Sequence, residues 1–187
     1  MADALSALAH LPAAAGDGRV TLREVSAGTI LRIQTWPDTA GVVPRVAREL
    51  LGVEAPPIGH AATNFETSLI AVAPGCFYVA GLASDIAWLV KEAVPAAEAA
   101  VTDLSHGRAM LALEGEAASA VLQKCVAIDI SALPPGRAAQ TMIHHIDVLI
   151  HRRSETEFRL MVLRSFAEAL AEWVLDAGLE EGIRFRR

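Results

Sequence analysis

Six histidines, at positions 10, 60, 106, 144, 145 and 151, are the side chains best suited to acid–base or metal chemistry near neutral pH. Their spacing builds no site. His144 and His145 are adjacent on a predicted strand, where successive side chains point to opposite faces, so they cannot grip one ion together. His145 and His151 flank a predicted turn near Asp147, and no third ligand is patterned with them, whereas a metal centre needs three or four. Cys76 and Cys125 sit singly inside apolar patterns and read as reduced core thiols. No Gly-x-Gly-x-x-Gly or Gly-x-x-x-x-Gly-Lys-Ser/Thr run offers a cradle for a dinucleotide or ATP, and no Gly-x-Ser-x-Gly elbow offers a nucleophile.

The densest polar cluster is Thr102-Asp103-Leu104-Ser105-His106-Gly107-Arg108, at a predicted strand-to-turn junction. One reading is structural: Asp103 and Ser105 accept backbone hydrogen bonds as Asx and Ser turns do, with His106 in solvent. The other is a ligand or subunit contact, with Arg108 free to form a bidentate carboxylate pair.

The elements that carry these residues read as α+β. Residues 20–25 and 29–36 alternate around Ser26-Ala27-Gly28 as a hairpin does. A helix follows, capped by Asp38 or Thr39, with Val42, Val46, Leu50 and Leu51 on one face. A second hairpin turns at Pro74-Gly75 and leads to a helix from Ser84, with Ile86, Leu89, Val90 and Ala93 inward. The order then recurs: strands 99–104 and 109–113 around His106-Gly107, a short helix through Cys125, and strands at 138–143, 148–151 and 158–163. The last helix opens on Ser165-Phe166-Ala167-Glu168, a capping-box pattern, with Leu170, Trp173, Val174 and Ala177 inward. Those four lie 84 positions after Ile86, Leu89, Val90 and Ala93, so the chain reads as duplicated. The expectation is two tandem ββαββα-type modules with antiparallel sheets, at 19–95 and 96–187, after an N-terminal segment 1–18 and ending in a basic tail.

Composition bounds the partners. Of 187 residues 53% are apolar, which sustains a core, and 22 acidic against 16 basic residues give a net charge of -6, against nucleic acid or an anionic membrane as the main partner. The first 18 residues carry Asp3 and Asp17 and only neutral or acidic side chains, without the positive flank of a secretory signal, and the apolar stretch 68–83 is broken at Pro74-Gly75. The protein is therefore expected to be cytoplasmic.

Asp103-Leu104-Ser105-His106, then Gly115, a short helix through Leu122-Gln123-Lys124, Asp129, and Pro134-Pro135-Gly136-Arg137-Ala138-Ala139-Gln140-Thr141, resembles in order and spacing the folate-binding aminomethyltransferase superfamily. With Arg164-Ser165-Phe166-Ala167-Glu168 added, it is most similar to the gamma-subunit family of heterotetrameric sarcosine oxidases. The resemblance covers 102–177 well and the N-terminal half in outline. It implies the aminomethyltransferase fold and an accessory, structural chain in a complex that oxidatively demethylates sarcosine to glycine, with peroxide and methylenetetrahydrofolate formed. It also implies alpha, beta and delta subunits as partners. NAD and a folate-binding domain belong to alpha, FAD and part of the FMN site to beta, and zinc to delta, so this chain itself is expected to hold neither cofactor nor metal. Asp129 matches the acidic position important in folate-dependent transferases and is the candidate catalytic residue; Arg108 and Arg137 are the folate candidates. The alternatives are a stand-alone tetrahydrofolate-binding transferase-like protein, or the same subunit of another N-methyl amino-acid oxidase.

Overall fold

The computed structural model describes residues 6–11, 16–26, 28–65, 67–83 and 85–186. In chain order the strands are β1 (Val20–Val25), β2 (Thr29–Thr35), β3 (His60–Asn64), β4 (Thr67–Ala73), β5 (Cys76–Gly81), β6 (Ala99–Asp103), β7 (Arg108–Gly115), β8 (Ala138–Ile143), β9 (Ile146–Arg152), β10 (Glu157–Leu163) and β11 (Ile183–Arg186). The helices are α1 (Val42–Val46), which runs on as a π-helical turn (Ala47–Leu51), α2 (Ile86–Ala93), α3 (Ala118–Cys125) and α4 (Ala167–Ala177). Among the described residues no helix is long and apolar enough to cross a membrane.

Two sheets result, ordered β11-β1-β7-β10-β9-β8 and β3-β4-β5-β2-β6. The registered pairs are antiparallel except β1 with β11, which is parallel. The chain divides into two compact units, one of residues 1–25, 107–135 and 140–187, the other of residues 26–106 and 136–139. The units are interleaved, in place of the consecutive 19–95 and 96–187.

The duplication is borne out in the topology. The run β2-α1-β3-β4-β5-α2-β6 is repeated by β7-α3-β8-β9-β10-α4-β11, and the sheet orders β3-β4-β5-β2-β6 and β8-β9-β10-β7-β1-β11 correspond, with β1 inserted between β7 and β11. Each repeat therefore begins one strand later than the sequence pattern places it.

The expected hairpins β1–β2 and β6–β7 do not form, because each of these connections joins different sheets. β2 is a central strand with both edges filled, by β5 and by β6 from Leu31↔Asp103 to Thr35↔Ala99. Ala27, at the centre of the first expected turn, lies outside the described residues. Gly28 beside it is required by close approach: a Cβ there would stand 2.0 Å from the Leu82 carbonyl oxygen.

Each unit buries one apolar layer between sheet and helices. In the five-stranded unit Leu31, Ile33, Leu69 and Val79 of the sheet pack with Val42, Val43 and Val46 of α1 and Val90 of α2. In the six-stranded unit Leu22, Leu113 and Phe158 lie in one cross-strand row and Leu111 and Leu160 in the next; they are fully buried, as are Val121 and Leu122 of α3 and Leu170 and Val174 of α4.

Helix ends depart from the expected caps. Thr39 does not cap α1; its hydroxyl accepts from Trp36 N (3.0 Å) and bonds the Trp36 and Glu98 carbonyls, while Gly41 occupies the N-cap. The capping box at Ser165–Glu168 is not made, since Arg164–Phe166 form a 3₁₀ turn and Phe166 is the N-cap of α4. Ser84, the expected start of α2, lies outside the described residues. On α4 the buried stripe is Ala167, Leu170, Ala171 and Val174; Trp173 falls on its flank and is 42% exposed. β3 and β11, absent from the sequence reading, complete the two sheets, and the expected basic tail is edge strand β11.

Candidate functional site

The Asp103–Arg108 segment closes β6 and opens β7, and its polar groups are consumed locally. Asp103 Oδ1 accepts from Ser105 N (3.1 Å) and from the Ser105 hydroxyl (2.7 Å), and Oδ2 accepts from Lys91 Nζ of α2 (2.9 Å). The Ser105 hydroxyl and amide, together with Lys91, hold the Asp103 carboxyl down at about 2. Ser105 Oγ accepts from Ile30 N (3.0 Å), while Leu104 N donates to Ile30 O (2.8 Å). These bonds extend the β6 pairing to the start of β2 and tie α2 to the same corner. His106 is exposed. The segment does the work of an Asx and Ser turn, at a crossover rather than a hairpin.

Asp129 is exposed in the loop after α3. Its Oδ1 accepts from Ser131 N (2.9 Å), the Ser131 hydroxyl (2.5 Å) and Ala132 N (3.2 Å), which keep its carboxyl below the usual carboxylate range. Arg108 is half-buried at the start of β7 opposite Leu163. Among the described residues, Asp129 and Arg108, which share a unit, share no hydrogen bond or ion pair; Arg137 belongs to the other unit.

Arg137 follows Gly136 and bridges β3. Its Nη1 lies 2.8 Å from His60 Nε2, and His60 Nδ1 lies 3.2 Å from the Ile58 carbonyl oxygen. Because that carbonyl can only accept, Nδ1 carries the proton and Nε2 accepts from Arg137, an assignment made from the network. Ala61 N donates to Gly136 O (2.8 Å) and Ala138 N to Gly59 O (2.9 Å), so this arginine staples a loop to the sheet edge.

The histidines do not converge on a metal, and among the described residues no three His, Cys, Asp or Glu side chains are grouped to hold one. His144 and His145 form the two-residue turn between β8 and β9 instead of lying on a strand, and the turn is there rather than near Asp147. Their Nδ1 atoms are hydrogen-bonded, and the His144 ring stacks on Trp173 with centroids 4.3 Å apart and planes 19° apart. His151 is buried on β9, where burial first, and then Arg153 and Arg159, push its pKa down to about 4. Both cysteines are free thiols. Cys76 is buried with Sγ 3.4 Å from Arg32 Nε, and burial raises Cys125 to about 11, so the Cys125 thiol is not poised as a nucleophile.

Sequence reasoning missed a set of buried cations. Arg152 Nη1 donates to Leu133 O (2.8 Å) and Ile130 O (3.4 Å), its Nη2 reaches Glu155 (2.7 Å), and its guanidinium lies 5.3 Å from the Phe158 ring centroid. Buried Arg159 pairs with Glu157 (2.5 Å), and partly exposed Arg23 on β1 pairs with Glu114 (2.6 Å). The one signal was an arginine at a strand position that alternation would fill with an apolar residue.

Several large apolar side chains also reach the surface. Trp36, Trp88, Trp173, Phe65, Phe166 and Leu179 are all exposed.

The fold, two α+β repeats with this strand order, is shared with part of an aminomethyltransferase. The glycine cleavage system aminomethyltransferase T from Bartonella henselae superposes with a TM-score of 0.67 at 20% identity, over 89% of this chain and 47% of that one. Residues 38–180 match the model of the sarcosine oxidase gamma subunit family, and the chain belongs to that family. Sarcosine oxidase subunit gamma of Corynebacterium sp. (strain U-96) is 32% identical over 182 residues, 92% of this chain and 88% of the relative. A chain of the heterotetrameric sarcosine oxidase from Corynebacterium sp. U-96, solved in complex with pyrrole 2-carboxylate, superposes with a TM-score of 0.82 at 31% identity, over 94% of this chain and 95% of that one.

Proposed function

We propose that this chain is the gamma, accessory subunit of a heterotetrameric sarcosine oxidase. The assembly oxidatively demethylates sarcosine to glycine and yields peroxide and methylenetetrahydrofolate. FAD, FMN, NAD and tetrahydrofolate belong to the alpha and beta partners, zinc to delta, and the complex works in the cytoplasm. The observation that carries this reading is the end-to-end correspondence with one whole chain of a heterotetrameric oxidase, 94% of one and 95% of the other.

The role within the complex is architectural. Its support is that the most conspicuous polar segment, 103–108, is spent on holding β2, β6 and α2, and that Asp129 turns its own loop. Arg137 is engaged by His60, and Arg108 and Asp129 do not meet. Three exposed tryptophans on a chain of this size fit burial against larger subunits, since permanent interfaces resemble a core cut in half.

Coexpression with the other subunits tests the reading. Sarcosine-dependent peroxide formation by the purified assembly is expected to need this chain for full yield of active complex. An assembly that purifies without it at full activity overturns the proposal. Calorimetry of the isolated chain with tetrahydrofolate is expected to show no binding at high micromolar concentration.

A further inference from the structure

Helix α2 spends its inward stripe on its own core: Val90 is fully buried, and Ile86 and Ala93 pack beside it. Asp85, Trp88, Leu89 and Glu92, spaced i, i+3, i+4 and i+7, form the opposite stripe, and all four are exposed. Lys91 beside them is tied to Asp103 (2.9 Å), and among the described residues neither Asp85 nor Glu92 has an ion pair, so the stripe carries two uncompensated carboxylates around an apolar centre. Of the three tryptophans, Trp36 donates its indole N–H to the Ala96 carbonyl (3.1 Å) and Trp173 stacks on His144. Trp88 is 63% exposed and has no hydrogen bond or ring contact among the described residues.

The repeat supplies an internal comparison. At the 84-residue offset Trp88 corresponds to Glu172 of α4, a charged residue of the kind a solvated helix position normally carries, and Leu89 corresponds to Trp173, which His144 covers. A tryptophan that stands in water where the twin helix has a carboxylate matches an interface anchor, a class in which Trp is enriched. Resting on the gamma-subunit reading above, we propose that the outer stripe of α2 docks on another subunit of the oxidase, with Trp88 seated in an apolar pocket whose rim carries Arg or Lys facing Asp85 and Glu92. The charges favour this occupant over a second copy of the chain. Antiparallel helices related by a two-fold axis between Trp88 and Leu89 would set each Asp85 against the other copy's Glu92, a like-charged contact on both sides of the apolar centre.

The test uses the coexpressed complex. Trp88→Glu gives α2 the residue of its twin, so the isolated variant is expected to melt as wild type does, while recovery of the tagged chain with its partner subunits falls about tenfold or more, the effect of losing an anchor residue. Trp88→Phe keeps a ring and is expected to recover partners far better than Trp88→Glu. Reversing both charges, Asp85→Lys with Glu92→Lys, is expected to lower recovery about threefold or more. A photo-crosslinking residue at position 88 is expected to give a covalent product with another subunit, and it decides the case if the Glu variant melts low. Undiminished recovery of Trp88→Glu or of the charge reversal overturns the proposal, as do crosslinks confined to this chain or to a second copy of it. If wild type itself fails to copurify, the subunit reading fails instead, which keeps the two outcomes distinct.

Discussion

Replacing Asp103 separates a structural from a chemical role for the Asp-Leu-Ser-His segment. Its carboxyl stands at about 2 against 3.8 unperturbed, held there by the Ser105 hydroxyl, Lys91 and the Ser105 amide. At 1.36 kcal/mol per pKa unit the displacement is about 2.4 kcal/mol gross. The side chain is 39% exposed, and screening by water reduces that to about 1 kcal/mol. Asp103→Asn keeps an acceptor for Ser105 and loses the charge, so it is expected to cost about 1 kcal/mol at pH 7. Asp103→Ala also removes the acceptor that holds Ser105 against Ile30, and is expected to cost about 1.5–2 kcal/mol. The folded pKa is depressed, so this stabilisation is fully present above the unfolded pKa and is lost as pH falls through the folded one. Urea unfolding should show the gap between wild type and Asp103→Asn shrinking by about half between pH 7 and pH 3. An Ala variant within ~0.3 kcal/mol of wild type, or a gap that does not change with pH, refutes the reasoning.

Asp129→Asn keeps an acceptor for the Ser131 and Ala132 amides, so it is expected to lose less than ~1 kcal/mol and to leave turnover of the assembled oxidase within about threefold. A hundredfold loss of methylenetetrahydrofolate formation would mark it as catalytic. Trp173→Ala removes a ring stack from an exposed site, and denaturant melts should show about 1 kcal/mol of loss; about 3 kcal/mol or more would mean the ring is core. Arg152→Met deletes the donors to the Leu133 and Ile130 carbonyls, and thermal unfolding should show about 3 kcal/mol of loss. A variant within ~0.5 kcal/mol of wild type would show that these carbonyls find other partners.

Local pattern located most elements well. Ala138–Ile143 was readable to the residue, and β4 and β5 nearly so, because alternation bounded by Pro, Gly or a loop is a short-range signal. The 84-residue offset was legible for the same reason: β5 with α2 and β10 with α4 repeat one local pattern. Which sheet a strand joins is not local. Ser26–Gly28 and Ser105–Gly107 have turn chemistry, but β2 takes β6 as its neighbour because both of its faces and both of its edges must be satisfied at once. Trp173 was misplaced because one helical step of 100° separates a core position from its flank. The His144–His145 turn lacks the Gly or Asn that normally announces one. At the candidate site, Asp103 and Ser105 were legible as turn formers from residue type alone, whereas the cross-strand pair Arg23–Glu114 and the pairing of buried Arg159 with Glu157 depend on strand register, which alternation does not report.

The most direct test of the central claim is the mass of the intact assembly, by native mass spectrometry after coexpression with tagged alpha, beta and delta subunits. One complex is expected, holding a single copy of this 19.8 kDa chain with one each of the others. A stable alpha–beta–delta complex that leaves this chain in the unbound fraction would contradict it.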